Sequence, residues 1–355
     1  MSQSDERYRP DRITRREALA RGAGALLGGS VLGYLALAPE HLPFSRRDDT
    51  GRRSEPSERP LTLPDYSVSP DDSTIAVSIG RNGEIGTLLR KALDGMGGIR
   101  KFVQPGDVVL VKPNVAFDRS PNLGATTNPA IIRELIQLLL VDCRAAEVRV
   151  ADNPIESPAD CFAKSGIGKA AEEAGGRVFL PDGNAFRTLN TPGAKLIENW
   201  SFFHRPFRSV TKVIGVAAVK DHNLCSASMG IKNWYGLLGG KRNNFHQDIH
   251  EIIADLSMMI HPTLTLLDGT HVLMSNGPTG GDPSLVRKYE VIVAGTDQVA
   301  MDAWAYKHLL QRGDDYPEYL FKAEQRGSGR IDASVQKCVF FRVSLGAFSI
   351  ILAIA

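Results

Sequence analysis

The chain has 355 residues, 43% hydrophobic and 23% charged, which is globular composition with length for one large domain or two small ones. A formal net charge of +2 is too small to imply a nucleic-acid partner, and much of the arginine excess lies in the first sixty residues rather than on the folded part. The four cysteines, Cys143, Cys161, Cys225 and Cys338, stand singly with no Cys-x-x-Cys pair, so buried thiols are expected rather than zinc or cluster ligands, and disulfides stay open.

The chain opens on a segment, 1–40, in which Arg15 and Arg16 precede a weakly apolar stretch from Gly22 to Ala38 rich in Gly, Ala and Leu. This resembles a twin-arginine export signal, whose arginine pair is read by the translocase and whose modest hydrophobicity keeps it off the ordinary secretory route. Ala36-Leu37-Ala38 fits the small-x-small rule for cleavage, but Pro39 is a poor residue after it, so an uncleaved anchor stays open. Residues 41–73 carry Arg, Asp, Glu, Ser and Pro with few apolar side chains and read as a disordered linker.

From residue 74 to 330, β-branched runs alternate with helical patterns. Strands are predicted at Thr74–Ile79, Val108–Lys112, Glu147–Ala151, Val213–Val219, Leu264–Leu267 and Val291–Ala294. Helices are predicted at Ile85–Met96, Pro129–Val141, Ile249–Ile260, Val299–Leu310 and Pro317–Gln325. The order is that of a single large α/β domain, with a mostly parallel sheet flanked by helices. Residues 331–355 form an apolar tail, either a last strand or the start of a transmembrane helix whose remainder lies beyond Ala355; lack of alternation favours the helix.

In such sheets the ligand crevice lies beyond the carboxyl ends of the strands. Lys112, Pro113 and Asn114, then Asp152 and Asn153, then Lys220, Asp221 and His222, then Asp268 and Gly269, follow predicted strands and form the candidate set.

Seven pieces occur in one order: Val111-Lys112-Pro113-Asn114, Ala125-Thr126-Thr127-Asn128-Pro129, Lys220-x-His222, Gly230-Ile231-Lys232-Asn233, Asp268-Gly269, Gly277-Pro278 and Gly295-Thr296-Asp297. Together they resemble the domain-of-unknown-function family 362 over roughly Ile75 to Gly329. Members of that family are often exported or iron–sulfur-associated, and several carry a ferredoxin-type cysteine module after the domain. No such module follows Gly329 here, so the resemblance implies a cluster only if the natural chain continues past Ala355.

Lys112, Lys220 and Lys232 supply cations for an anionic ligand, with Asn114, Asp152 and Asn233 beside them. Thr126 and Thr127 can donate hydroxyls, and Asn128 can cap a helix beginning at Pro129, whose amino terminus favours an anion. Backbone amides near Gly230, Gly239 and Gly240 can approach a ligand closely. His222, His246 and Asp268 are the candidates for acid/base work. His246 and His250, four apart, would share one helix face and could instead hold a metal.

The loop Gly277-Pro278-Thr279-Gly280-Gly281 reads as a lid or a plain connection, and Trp234 and Tyr235 as ring stackers or as packing. The absence of a Gly-x-Ser-x-Gly elbow, a Walker loop and a His-Glu-x-x-His helix argues against a lipase-like hydrolase, a P-loop nucleotidase and a zincin. Three functions remain in view: an enzyme or redox-associated domain acting on an anionic small molecule or cofactor in the cell envelope; a non-catalytic, membrane-tethered assembly protein serving a redox partner; and a metal-dependent hydrolase.

Overall fold

The computed structural model describes residues 59–68, 75–80, 84–332, 338–344 and 347–351, all within the compact unit Glu58–Ala355. Residues 1–40, expected to form an export signal, lie outside these residues, as does any cleavage site.

Residues 59–68 dock on the domain rather than hanging as a tether. Leu61 bridges to Leu189, and Tyr66 is buried against Phe207 while its carbonyl accepts from the Thr263 hydroxyl. The linker expected over 41–73 is therefore corrected between residues 59 and 68. Leu61, Leu63 and Tyr66 give this stretch enough apolar surface to dock on the domain.

The strands are β1 (Ile75–Gly80), β2 (Val108–Pro113), β3 (Glu147–Ala151), β4 (Arg177–Phe179), β5 (Phe186–Asn190), β6 (Asn199–Phe203), β7 (Lys212–His222), β8 (Ser226–Ser228), β9 (Leu264–Leu273), β10 (Val286–Arg287), β11 (Val291–Gly295), β12 (Cys338–Ser344) and β13 (Ala347–Ile351). Among the described residues eleven of them form one sheet: nine on the path β13-β12-β1-β11-β9-β7-β2-β3-β4, with β10 paired to β9 and β8 to β7, while β5 and β6 form a separate hairpin. Every strand on that path runs one way except β11 and β13, so the fold is the expected mostly parallel α/β sheet.

The helices are α1 (Ile85–Gly95), α2 (Pro129–Gln137), α3 (Pro158–Lys164), α4 (Ile167–Glu173), α5 (Gly230–Asn233), α6 (Ile249–Met259), α7 (Gln298–His308) and α8 (Glu318–Gln325). They cover both faces, as strands this apolar require: β2, β7, β9 and β11 are almost wholly buried. Leu88, Leu93, Ile132, Leu135, Val109 and Val111 belong to the core on one face. Ile252, Ile253, Leu256, Trp234, Phe202 and Tyr319 belong to the core on the other. On α2 the helix starts where the Asn128 side chain accepts from the Ala130 amide, with Pro129 preset at the first position.

Within the tail, Cys338–Ser344 and Ala347–Ile351 are strands rather than the expected helix. β12 adds in parallel to the outer edge of β1, and β13 folds back on it. Its β-branched and aromatic residues favour that state, and β1 offers an unpaired edge. Among the described residues no helix is long and apolar enough to cross a membrane.

Candidate functional site

Parallel register brings the carboxyl ends of three strands side by side. Val111 of β2 stands opposite Val150 of β3, and Pro113 opposite Val216 of β7. β7 runs past its neighbours, and its last residues, Lys220 to His222, turn back in a hairpin with β8. This overhang and the short α5 close a cavity of about 70 Å³, lined by Lys112, Asn114, Asp152, Lys220, His222, Lys232, Asn233 and His246 among the expected residues. Asn153, Tyr235 and Pro278, also noted in the sequence, together with Ala116, Phe117, Ile155, Ser228, Gly236 and Arg242, complete it.

The three lysines have unlike roles. Lys112, 1% exposed, donates from Nζ to Asp152 Oδ1 at 2.7 Å, to Asn233 Oδ1 at 2.8 Å and to the Pro113 carbonyl at 2.8 Å, which saturates an ammonium. Asp152 in turn accepts from the Val115 and Asn153 amides, at 2.7 and 3.0 Å. Burial pulls the Lys112 pKa down and the Asp152 carboxylate pulls it back.

Among the described residues Lys220 forms no ion pair: its Nζ donates to Asn114 Oδ1 at 3.0 Å and to the Ala125 carbonyl, and sits 5.2 Å from the centre of the Phe117 ring. Burial first, and then the charge of Lys232, push its pKa down to about 7.

Lys232 is half-buried, lies over the Tyr235 ring at 5.2 Å, and forms no ion pair among the described residues. Burial lowers its pKa as well. Arg242 is buried beneath them, and its guanidinium donates only to carbonyls: Tyr235, Leu238, Asn153 and Pro154.

His222 completes the wall. The Leu224 amide donates to its Nδ1 at 3.2 Å, which places the ring proton on Nε2. Burial, reinforced by Lys232 and Lys220, pushes its pKa down to about 2, so the imidazole is neutral and offers an N–H rather than a charge. His246 lies edge-on to Tyr235 with Nδ1 at 2.9 Å from the Asn243 carbonyl.

The sum is a cavity in which the basic groups Lys112, Lys220, Lys232 and Arg242 share its lining with a single carboxylate, Asp152. Asn114 and Asn233 fix the lysines in place, because Asn233 Oδ1 accepts from both Lys112 and Asn114 while its Nδ2 donates to the Lys112 carbonyl.

Other expected residues lie elsewhere. β9 continues through Asp268 instead of ending before it, and the carboxylate accepts from the Asn128 and Thr270 amides and the Thr270 hydroxyl. Asp268 thus supplies, from within the protein, the anion that the start of α2 attracts, and it stands outside the cavity lining. Thr127 is structural: its hydroxyl accepts from the Asn114 amide and donates to the Val216 carbonyl. Thr126 is buried, its hydroxyl without a partner, and it too is outside the lining.

The amides of Gly230 and Ile231, expected to face a ligand, donate instead to the buried carboxylate of Asp302. The Gly239 amide donates to the Ser201 carbonyl, and Gly240 is exposed. His250 stacks at 6.3 Å on Tyr319, away from His246, because the short turn Arg242–Asp248 ends before α6 begins and the pair shares no helix face. Among the described residues no three His, Cys, Asp or Glu side chains converge as a metal set. Trp234 is fully buried and bonded to Gln298, so it packs rather than stacks. Cys143, Cys161 and Cys225 are free, buried thiols.

Sequence reasoning missed Arg242 and Gly236. Arg242 follows Gly239-Gly240-Lys241 in a stretch without periodicity, and nothing in its neighbours marks it. Gly236 is required by contact: a Cβ there would lie 2.0 Å from Asp152 Oδ1 and 2.8 Å from Lys112 Nζ. Pro278 reaches the cavity from the glycine-rich loop, anchored where the Gly277 amide donates to Asp221, itself paired with Arg312.

Known proteins place these features in a family. The chain is 27% identical over 238 residues to the thylakoid-associated protein sll1697 of Synechocystis sp., covering 62% of this chain and 68% of that one. It also resembles the lactate racemase apoprotein of Thermoanaerobacterium thermosaccharolyticum at 12% identity and TM-score 0.35, covering 67% of this chain and 56% of that one. The chain therefore spans little more than half of the racemase's length, and that likeness is too distant to carry chemistry. The model of the domain of unknown function DUF362 matches residues 109–307, more than half of the chain and every residue of the cavity from Lys112 to Pro278, and the chain belongs to that family.

Proposed function

We propose that this protein binds a compact anionic small molecule or cofactor, one bearing a carboxylate or phosphate, in the cavity at the carboxyl ends of β2, β3 and β7. The observation that carries the reading is charge balance: the basic groups of the lining outnumber its one carboxylate, Asp152, and among the described residues Lys232 pairs with none. Holding such charge away from water costs several kcal/mol unless an anion completes it, and a volume of about 70 Å³ has room for roughly five water molecules. His222 adds a neutral N–H donor that suits an anion without adding charge.

Titration calorimetry with sulfate and inorganic phosphate tests this. Binding at a single site in wild type, and its loss in Lys232→Ala with the fold intact by circular dichroism, are expected. Equal binding by both proteins would refute it.

The same reading puts the domain at the outer face of the cytoplasmic membrane or in the periplasm, delivered folded by the twin-arginine translocase and still anchored if the signal is not cut. Arg15, Arg16 and the weakly apolar stretch after them support export, and the thylakoid association of the cyanobacterial relative supports a membrane setting. A membrane redox partner is the companion that the family resemblance implies. Export is tested by replacing both arginines with lysine: the protein should then stay in the cytoplasm, and unchanged export would refute the signal.

A further inference from the structure

The lysines of the cavity differ in the number and kind of their acceptors. Lys112 has three, one of them a carboxylate, which is the full complement of an ammonium. Lys220 has two, both neutral: Asn114 Oδ1 and the Ala125 carbonyl. A neutral amine has two N–H bonds, and both are then used, leaving a lone pair for reaction. Lys220 lines the cavity, and the Phe117 ring, its centre 5.2 Å from Nζ, lines it beside the amine. Lys232, uncompensated, and the Nε2–H of His222 line the same space.

We propose that Lys220 is a nucleophilic amine that condenses with the carbonyl carbon of a small 2-oxo acid, whose carboxylate rests against Lys232. This rests on the anion-site reading above and names its substrate class. The bookkeeping of atoms is closed. The lone pair forms the C–N bond, the carbonyl oxygen takes up both amine hydrogens, and water leaves as the C=N bond forms, with no oxidant or reductant required. The Nε2–H of His222 can donate to the carbonyl oxygen while the carbinolamine forms.

The groups facing Lys220 favour the neutral amine. Lys112 on β2 and Lys232 on α5 are cationic, His222 on β7 is neutral, His246 lines the same cavity, and the one carboxylate of the lining, Asp152, is already engaged by Lys112. The ammonium form accordingly gives way at a pH of about 7. A second lysine beside an amine is a recognised way to free its lone pair near neutral pH.

Reductive trapping tests the inference. Full-length protein is incubated with pyruvate and sodium borohydride, digested, and mapped by mass spectrometry. The expected result is a Lys220 peptide heavier by pyruvic acid less one oxygen atom, with labelling that rises with pH to a plateau above about 7 and is suppressed by sulfate. Lys220→Arg should lose the adduct; because that variant could fold poorly, suppression by sulfate in wild type serves as an independent criterion. Labelling confined to exposed lysines such as Lys195, or no labelling, while sulfate still binds, would overturn the inference and leave the anion site standing. Neither labelling nor sulfate binding would overturn both.

Discussion

Replacing Gly236 by Ala probes the site through its scaffold. The added methyl would lie 2.0 Å from Asp152 Oδ1 and 2.8 Å from Lys112 Nζ, where no Cβ fits. Asp152 cannot step aside freely, because its carboxylate also accepts from the Val115 and Asn153 amides, and the Lys112–Asp152 pair is 1% and 2% exposed at its side chains. Breaking a buried pair while leaving its charges in place costs about 3–5 kcal/mol. For a domain of this size that lowers the melting temperature by roughly 6–15 °C. Thermal unfolding followed by circular dichroism reads the shift. Gly183→Ala is the control, since a Cβ at Gly183 meets nothing within 4 Å and the change should stay within about 0.5 kcal/mol. Sulfate affinity should fall alongside, as Lys112 and Asp152 wall the cavity. A Gly236→Ala protein that melts with wild type and binds sulfate equally well would refute the reasoning.

Lys232→Met should move affinity and stability in opposite directions. Losing one charge-assisted contact lowers sulfate affinity roughly 10- to 100-fold by calorimetry, while removing an unpaired, half-buried charge raises the unliganded melting temperature; a joint fall would contradict the charge-balance argument. Sulfate affinity should decline between pH 6 and 8, because Lys220 loses its proton at about 7 while sulfate keeps its charge; a flat profile would show that Lys220 does not face the anion. Asp302 is raised to about 7 by burial, against the opposing pull of the Ile231 and Gly230 amides, so the folded protein holds a proton that the unfolded chain has released. Its contribution is therefore fully present below pH 4 and lost as pH rises to 7. Urea unfolding should show wild type losing about 4 kcal/mol relative to Asp302→Asn over that span, and parallel curves would refute it.

Much of the scaffold is legible in the sequence because its strands are short, apolar and β-branched, and its helices carry regular stripes. Glu147–Ala151 and the starts of α1, α2 and α6 fall where periodicity puts them. The misses have physical causes. β7 and β9 overshoot their predicted ends, since Lys220 and Asp268 look like strand stops until the partners that bury them are known. The antiparallel sense of β11 is invisible in a run, Val-Ile-Val-Ala, that serves either direction. β5 and β6 form a hairpin that alternates too weakly to announce itself.

For the site, the strand-end rule finds Lys112, Asn114, Asp152, Lys220 and His222, because β2, β3 and β7 lie together in the sheet. It misplaces Asp268 for the same reason: β9 also follows β7 in the sheet, but its carboxylate is turned to the start of α2. Arg242 and Gly236 come from irregular backbone, where only the folded contacts give a residue its meaning.

The central claim is that the cavity between Lys220, Lys232 and His222 takes a compact anion. Crystals soaked in selenate and measured at the selenium edge test it most directly. An anomalous peak is expected in the cavity, within hydrogen-bonding reach of Lys232 Nζ and His222 Nε2, and should disappear in Lys232→Met crystals. Peaks confined to surface arginines and lysines, with the cavity holding water alone, would contradict it.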